Sequence, residues 1–89
     1  MLWFKHKWTW EEDLIVCTYA VERKTDMKSI HRLAIYLNLS EGQVQYRLSD
    51  FVNMHKGVAD RHYSKQERRV YKFVTRNNMV MLHAIRKGL

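Results

Sequence analysis

Three Ser/Thr-x-x-Glu/Gln sequences occur in the chain, at Thr9-x-x-Glu12, Ser40-x-x-Gln43 and Ser64-x-x-Glu67. In such a capping box the hydroxyl and the acid or amide side chain satisfy backbone N–H groups at the start of a helix. The 89 residues contain no proline, no internal repeat and no Gly/Ser-rich linker. Because a chain of this length can bury only one core, the sequence predicts a single all-α domain over residues 1–89.

The first predicted helix begins after Thr9 and ends at about Arg23 or Lys24. Its apolar residues recur at intervals of four, three and four positions, so we expect a buried side made of Trp10, Leu14, Cys17 and Val21. Three consecutive acids follow the helix start, where negative charge complements the helix dipole. We therefore interpret Glu11, Glu12 and Asp13 as structural residues.

A tight turn is predicted between the second and third helices. Asp26 is the expected N-cap of the second helix, whose buried side is Ile30, Leu33, Ala34 and Leu37. Asn38 tolerates a left-handed conformation and is expected to end this helix, with Leu39 folding back onto the preceding turn. The third helix follows Ser40 and is expected to bury Val44, Leu48, Phe51 and Val52.

The outward face of the third helix is rich in hydrogen-bonding groups and poor in Lys and Glu. On a helical wheel it consists of Gly42, Tyr46, Ser49, Asp50 and Asn53, flanked by Gln43, Gln45 and Arg47.

The C-terminal segment is predicted to be helical after a loop over residues 55–63. Residues 64–89 form a basic helix or helix pair with an apolar stripe made of Val70, Phe73, Val74, Met81, Ala84 and Ile85. Asn77 lies within this stripe. Either the helix breaks at Asn77-Asn78, or it continues and buries Asn77 in a helix–helix contact. We expect residues 70–89 to form a homodimer interface.

The net charge of +7 is confined to the last third of the chain. Residues 1–54 are balanced, whereas residues 55–89 hold nine basic residues against Asp60 and Glu67. A one-sided positive field indicates a polyanionic partner. Apolar runs of at most four residues predict neither a membrane span nor a signal peptide, and the single cysteine predicts a reducing, cytoplasmic setting.

Catalytic and metal-binding patterns are not found in the sequence. The five histidines lack zinc-like spacing, and no Gly-rich phosphate loop or nucleophile elbow is present. We therefore predict no metal, no cofactor and no enzymatic activity. The N-terminal aromatic residues are interpreted as core and edge packing rather than as a platform for stacking bases; they are Trp3, Phe4, Trp8 and Trp10.

Ala34, Asn38, Val44 and Leu48 have the spacing of a helix-turn-helix, in which a small residue, a turn residue and two apolar residues seat one helix on another. The opening Trp8-Thr9-Trp10-Glu11-Glu12-Asp13 resembles the W-[ST]-x-E-E-D start of Myb and SANT repeats. Residues 30–37, 40–51 and 64–74 are similar to a bacterial and phage variant of that module, which stands alone or precedes HNH nuclease domains.

The resemblance implies a three-helix DNA- or protein-binding module over residues 9–54, followed by the basic C-terminal helix. It departs from the family pattern in two places. The third-helix Trp of Myb repeats is absent, with Leu48 and Phe51 in that region, and the usual turn Gly is Asn38.

From these features we predict a non-enzymatic protein that binds double-stranded DNA and regulates transcription in a bacterium, phage or mobile element, at the nucleoid. The residues expected to read base edges are Gln43, Gln45, Tyr46, Arg47, Ser49 and Asn53. Those expected to contact phosphates are Lys28, Arg32, Lys56, Arg61, Lys65, Arg68, Arg69 and Lys72. The alternative is a SANT-like module that binds an acidic surface of a partner protein, which Asp50 on the outward face favours.

Overall fold

The computed structural model describes residues 6–58 and 62–87, and for residues 77–87 it describes the backbone only. Four helices make up this part of the chain, which contains no strand: α1 (Trp10–Val21), α2 (Met27–Leu37), α3 (Glu41–His55) and α4 (Lys65–Lys87). The prediction of an all-helical protein is confirmed. Among the described residues, α1 is the central helix, packing most extensively against α3 and α4, while α2 packs mainly against α3.

All three predicted capping boxes are present. The Glu12 N–H donates to Thr9 Oγ1 over 3.2 Å, and the Thr9 N–H donates to Glu12 Oε1 over 2.9 Å. Ser40 and Gln43 form the same reciprocal pair at the start of α3, as do Ser64 and Glu67 at the start of α4. These local bonds set three of the four helix starts. Asp26 is the N-cap of α2, but its carboxylate accepts from Ser29 Oγ rather than from a backbone N–H.

The turn between α2 and α3 has the predicted geometry. Asn38 is left-handed, with φ 57° and ψ 47°, and the Leu39 N–H donates to the Ala34 carbonyl over 3.0 Å. This pattern satisfies carbonyls at the end of α2 and reverses the chain within three residues. As a result, α3 begins immediately beside the end of α2.

The first helix is shorter than predicted, and although its expected side packs against the core, full burial centres on a neighbouring side. It ends at Val21 because Arg23 adopts φ 61°, which directs the Lys24 N–H back to the Tyr19 carbonyl over 2.8 Å. Of the expected buried side only Cys17 is fully buried, because Trp10, Leu14 and Val21 are partly exposed. Since α3 and α4 both contact α1, burial instead covers the turn from residue 16 to residue 20.

The core joins all four helices. α2 and α3 contribute the predicted residues Ile30, Leu33, Ala34, Val44, Leu48 and Phe51, while Leu37 and Val52 are partly buried. Val70 and Val74 bring α4 into the same core, and Phe73 packs edge-to-face on Trp10 with ring centroids 5.8 Å apart. The α4 backbone is helical through Asn77 and Asn78, so the alternative of a break there is wrong. The rest of the predicted stripe and the Asn77 side chain lie outside the described side chains, and the homodimer over residues 70–89 stays a prediction.

Candidate nucleic-acid interface

One side of α3 is exposed along the helix and carries mainly polar groups. Gly42, Gln45, Tyr46 and Ser49 are exposed, at the spacing of one helical face, and Tyr46 keeps 71% of its surface accessible. Asn53 continues this face one turn further; it is half-buried, and its amide donates to Ser49 Oγ over 3.4 Å. These five residues are called the α3 outer face below. It contains no charged residue.

Gln43 lies at the edge of the α3 outer face and is partly committed to the capping box. Its Oε1 accepts from the Ser40 N–H over 3.0 Å and from Ser40 Oγ over 3.1 Å. Bidentate recognition of adenine requires both the oxygen and the nitrogen of an amide. The Gln45 side chain makes no hydrogen bond in the part of the chain that the structure describes, so both its amide oxygen and its amide nitrogen are available.

The predicted position of Arg47 on the outward face is wrong. Its guanidinium is turned inward, 14% exposed, and forms two parallel bonds with the carboxylate of Asp13 on α1: Nε to Oδ1 and Nη2 to Oδ2, each 2.8 Å. Asp13 is fully buried. Breaking this bidentate pair would cost much free energy, because the buried carboxylate of Asp13 would be left without a partner of opposite charge. Arg47 therefore fixes α3 on α1.

Three neighbours complete the surroundings of this ion pair. Gln66 of α4 donates from Nε2 to Asp13 Oδ2 over 2.6 Å and to the Trp8 carbonyl over 2.8 Å. The Trp8 ring covers the guanidinium, 5.2 Å from Cζ to the ring centroid, and Arg47 Nη1 lies 3.4 Å from Glu67 Oε1. The ion pair thus links α1, α3, α4 and the segment before α1. Trp8 and Trp10 both pack against protein, in agreement with the interpretation of these two aromatics.

Asp50 was also predicted on the outward face, and this position is wrong. It is 6% exposed and faces Glu67 of α4, which is 1% exposed. Burial, together with a hydrogen bond to Asp50 and its negative charge, raises the pKa of Glu67 from 4.5 to about 7. Glu67 Oε2 receives no N–H or O–H donor among the described residues, and a proton on this oxygen would bond it to Asp50.

Among the basic residues predicted to contact phosphates, those that the structure describes lie on the surface. Seven are exposed and form no ion pair within the described residues: Lys28, Arg32, Lys56, Lys65, Arg68, Arg69 and Lys72. Arg68 stacks over the Tyr63 ring, 5.9 Å from Cζ to the centroid. Arg61 lies outside the described residues. Lys28 and Arg32 belong to α2, and Lys56 directly follows the end of α3.

The single cysteine is unsuited to nucleophilic chemistry. Cys17 is fully buried in the core, and burial, with the nearby charge of Asp13, raises the pKa of its thiol well above the ordinary value. The described residues hold no group of three or more His, Cys, Asp or Glu that could bind a metal ion. Every helix within residues 6–58 and 62–87 is too short or too polar to cross a lipid bilayer.

Comparison of the chain with models of protein families, with curated proteins and with solved structures gives no match.

Proposed function

We propose that the protein binds double-stranded DNA, with α2 and α3 serving as a Myb/SANT-like helix-turn-helix and α3 entering the major groove. The observation that carries this proposal is the α3 outer face. An exposed helix face that only needs to be solvated usually carries Lys and Glu, but this one presents amide and hydroxyl groups and no charge. Such groups can donate to and accept from base edges.

Sequence recognition is assigned to Gln45, Tyr46, Ser49 and Asn53, with Gln43 contributing donors from its amide nitrogen. Arg47 and Asp50 hold α3 in place instead of reading bases. The buried contacts of Arg47 and Asp50 support recognition of base sequence, because a recognition helix must be held rigidly for its side chains to discriminate between base pairs. In the proposed setting the protein regulates transcription, as the resemblance implies.

Phosphate contacts are assigned to the exposed cations near α3 and on α4. Lys28 and Arg32 would contact the backbone at one end of the recognition helix, while Lys56, Lys65, Arg68, Arg69 and Lys72 would do so elsewhere along the duplex. Unpaired, exposed cations bind phosphate with little desolvation cost and release counterions from DNA. Their contribution is independent of base sequence.

The proposal is tested by fluorescence anisotropy with labelled duplexes, using random-sequence and genomic fragments over a series of salt concentrations. We expect binding at low salt, with log affinity falling linearly as log salt rises. Absence of binding to any duplex at low salt would contradict the proposal.

A further inference from the structure

The outward side of α2 carries three of the four exposed large apolar side chains among the described residues. Met27, Ile35 and Tyr36 keep 59%, 68% and 53% of their surfaces accessible, and together with Tyr46 they are the exposed large apolar side chains in this part of the chain. Scattered apolar residues are normal on a surface, but several on one short helix indicate an interaction site. We call the following set the α2 outer face: Met27, Lys28, His31, Arg32, Ile35 and Tyr36.

None of the other described helices covers this face. α2 packs with its opposite side on α3 and α1, and it does not contact α4. The His31 ring contacts the Glu41 carboxylate in the first turn of α3, which fixes one edge of the face. The surface is therefore held in shape by the fold, and its apolar groups are in contact with solvent.

The side chains of the α2 outer face form two ridges with a groove between them, into which a second helix can pack. Lys28, Arg32 and Tyr36 form one row at intervals of four residues, and His31 and Ile35 form the adjacent row. A shallow groove, lined mostly by apolar surface, lies between the rows. Grooves between rows at i and i+4 accept the corresponding ridge of another helix in the commonest mode of helix packing.

The positive charge of the α2 outer face determines which kind of helix can bind there. The segment from Met27 to Leu37 contains Lys28 and Arg32 and no acid, and both cations lie in the N-terminal half of α2, where the helix dipole adds positive potential. An α2–α2 contact with a second copy of this chain would bring Lys28 and Arg32 of both copies together, and these like charges would repel. DNA would satisfy the two cations but would leave Ile35 in water, because phosphates contact cations and hydrogen-bond donors.

We infer that the α2 outer face binds an acidic amphipathic helix of a partner protein. Apolar residues of the partner cover Ile35 and Tyr36, while its Asp or Glu side chains meet Lys28 and Arg32. A contact of one helix on one short groove buries a small area, so the complex is weak and transient. This surface shares Lys28 and Arg32 with the proposed phosphate contacts, so the partner helix and a duplex would compete for these two cations. It contains none of the proposed base-reading residues, and Ile35 is not among the proposed DNA contacts.

The test selects displayed random peptides of about 16 residues, roughly 24 Å when helical, on the full-length protein. We expect the enriched peptides to combine acidic and apolar residues at helical spacing. Ile35→Glu should weaken their binding about tenfold or more, because it places a like charge against the acidic peptide and removes the apolar contact. Circular dichroism would verify that the variant keeps its helical content, as expected for a side chain that is 68% exposed.

Tyr46→Glu is the matched control, because it makes the same change at an exposed apolar position on α3. It should bind the peptides as the unaltered protein does and lose DNA preference, whereas Ile35→Glu should do the opposite. Failure to enrich any peptide, enrichment of peptides without acids, or equal binding to Ile35→Glu would overturn the inference. Binding to phosphatidylserine vesicles that depends on Ile35, without peptide enrichment, would also overturn it and assign the face to a membrane surface.

Discussion

The guanidinium of Arg47 on α3 donates two 2.8 Å bonds to the carboxylate of Asp13 on α1, 34 positions earlier in the chain. This ion pair fixes the position of α3 relative to α1, the central helix. Asp13 has no exposed surface, so its charge is tolerated only while Arg47 and Gln66 remain bonded to it. The arrangement makes Arg47 a structural residue.

Arg47→Met should therefore destabilise the protein by about 3–5 kcal/mol, the usual effect of removing one partner of a buried ion pair. The measurement is urea denaturation followed by circular dichroism. Arg68→Met makes the same change at an exposed site and should cost less than about 0.5 kcal/mol. If Arg47 instead served to read bases, its replacement would leave the midpoint unchanged and affect only DNA binding.

The Asp50–Glu67 pair should make stability depend on pH between about 4.5 and 7. With the pKa of Glu67 raised to about 7, the folded protein retains a proton that the unfolded chain releases above 4.5. The contribution of this proton to the free energy of unfolding is fully present below pH 4.5 and decreases as pH rises to 7, by at most about 1.4 kcal/mol per pH unit.

Glu67→Gln should remove this part of the pH dependence. The amide can donate to Asp50 and still accept from the Ser64 N–H, so it mimics the protonated acid at every pH. The comparison is the midpoint of urea denaturation from pH 4.5 to 8. Glu11→Gln, at an exposed position, should keep the slope of the unaltered protein. Identical slopes for Glu67→Gln and the unaltered protein would show that Glu67 does not hold the proton.

Replacing Arg23 by glycine should stabilise the protein by about 1 kcal/mol. Arg23 follows α1 with φ 61°, a conformation that costs a residue with a Cβ roughly this amount and that glycine adopts freely. Thermal denaturation of Arg23→Gly would measure the gain. Lys24→Gly, one residue later and outside the left-handed region, should give no gain. A lower melting temperature for Arg23→Gly would contradict the assigned backbone strain.

Reversing the charge of Arg68, Arg69 and Lys72 together should weaken binding to all duplexes alike. Each lost phosphate contact should reduce the slope of log affinity against log salt by about one unit. Arg76→Glu changes an exposed cation further along α4, outside the predicted set, and should keep the slope. An unchanged slope for the triple variant would mean that these cations are only solvated.

The helix starts and the α2–α3 turn could be predicted because their causes are local. A capping box or a left-handed Asn38 depends on residues three to five positions apart, which a sequence displays directly. Arg47 and Asp50 were misplaced because a helical wheel treats one helix by itself. Their partners, Asp13 and Glu67, come from α1 and α4 and bury a flank of α3 that is polar in sequence.

One feature of the sequence pointed to the buried ion pair between Asp13 and Arg47. A helix N-terminus gains little from a third consecutive acid beyond the capping residue, and Asp13 is the one that turns inward. Sequence alone could not pair it with Arg47, because seven cations are available in residues 1–54 and the packing of α1 on α3 selects among them. The α2 outer face was likewise not identified, because Ile35 and Tyr36 lie outside the predicted buried side of α2 and single exposed apolar residues are common on protein surfaces.

Base reading by the α3 outer face is tested most sharply by measuring two affinities of the unaltered protein and of Tyr46→Ala at one salt concentration. One duplex is selected by the protein from random sequences, and the other is an unselected mixture. If the α3 outer face reads bases, Tyr46→Ala should lose about 1–3 kcal/mol of preference for the selected duplex and bind the mixture as before. Equal losses on both duplexes, or no preference by the unaltered protein, would contradict base reading by the α3 outer face.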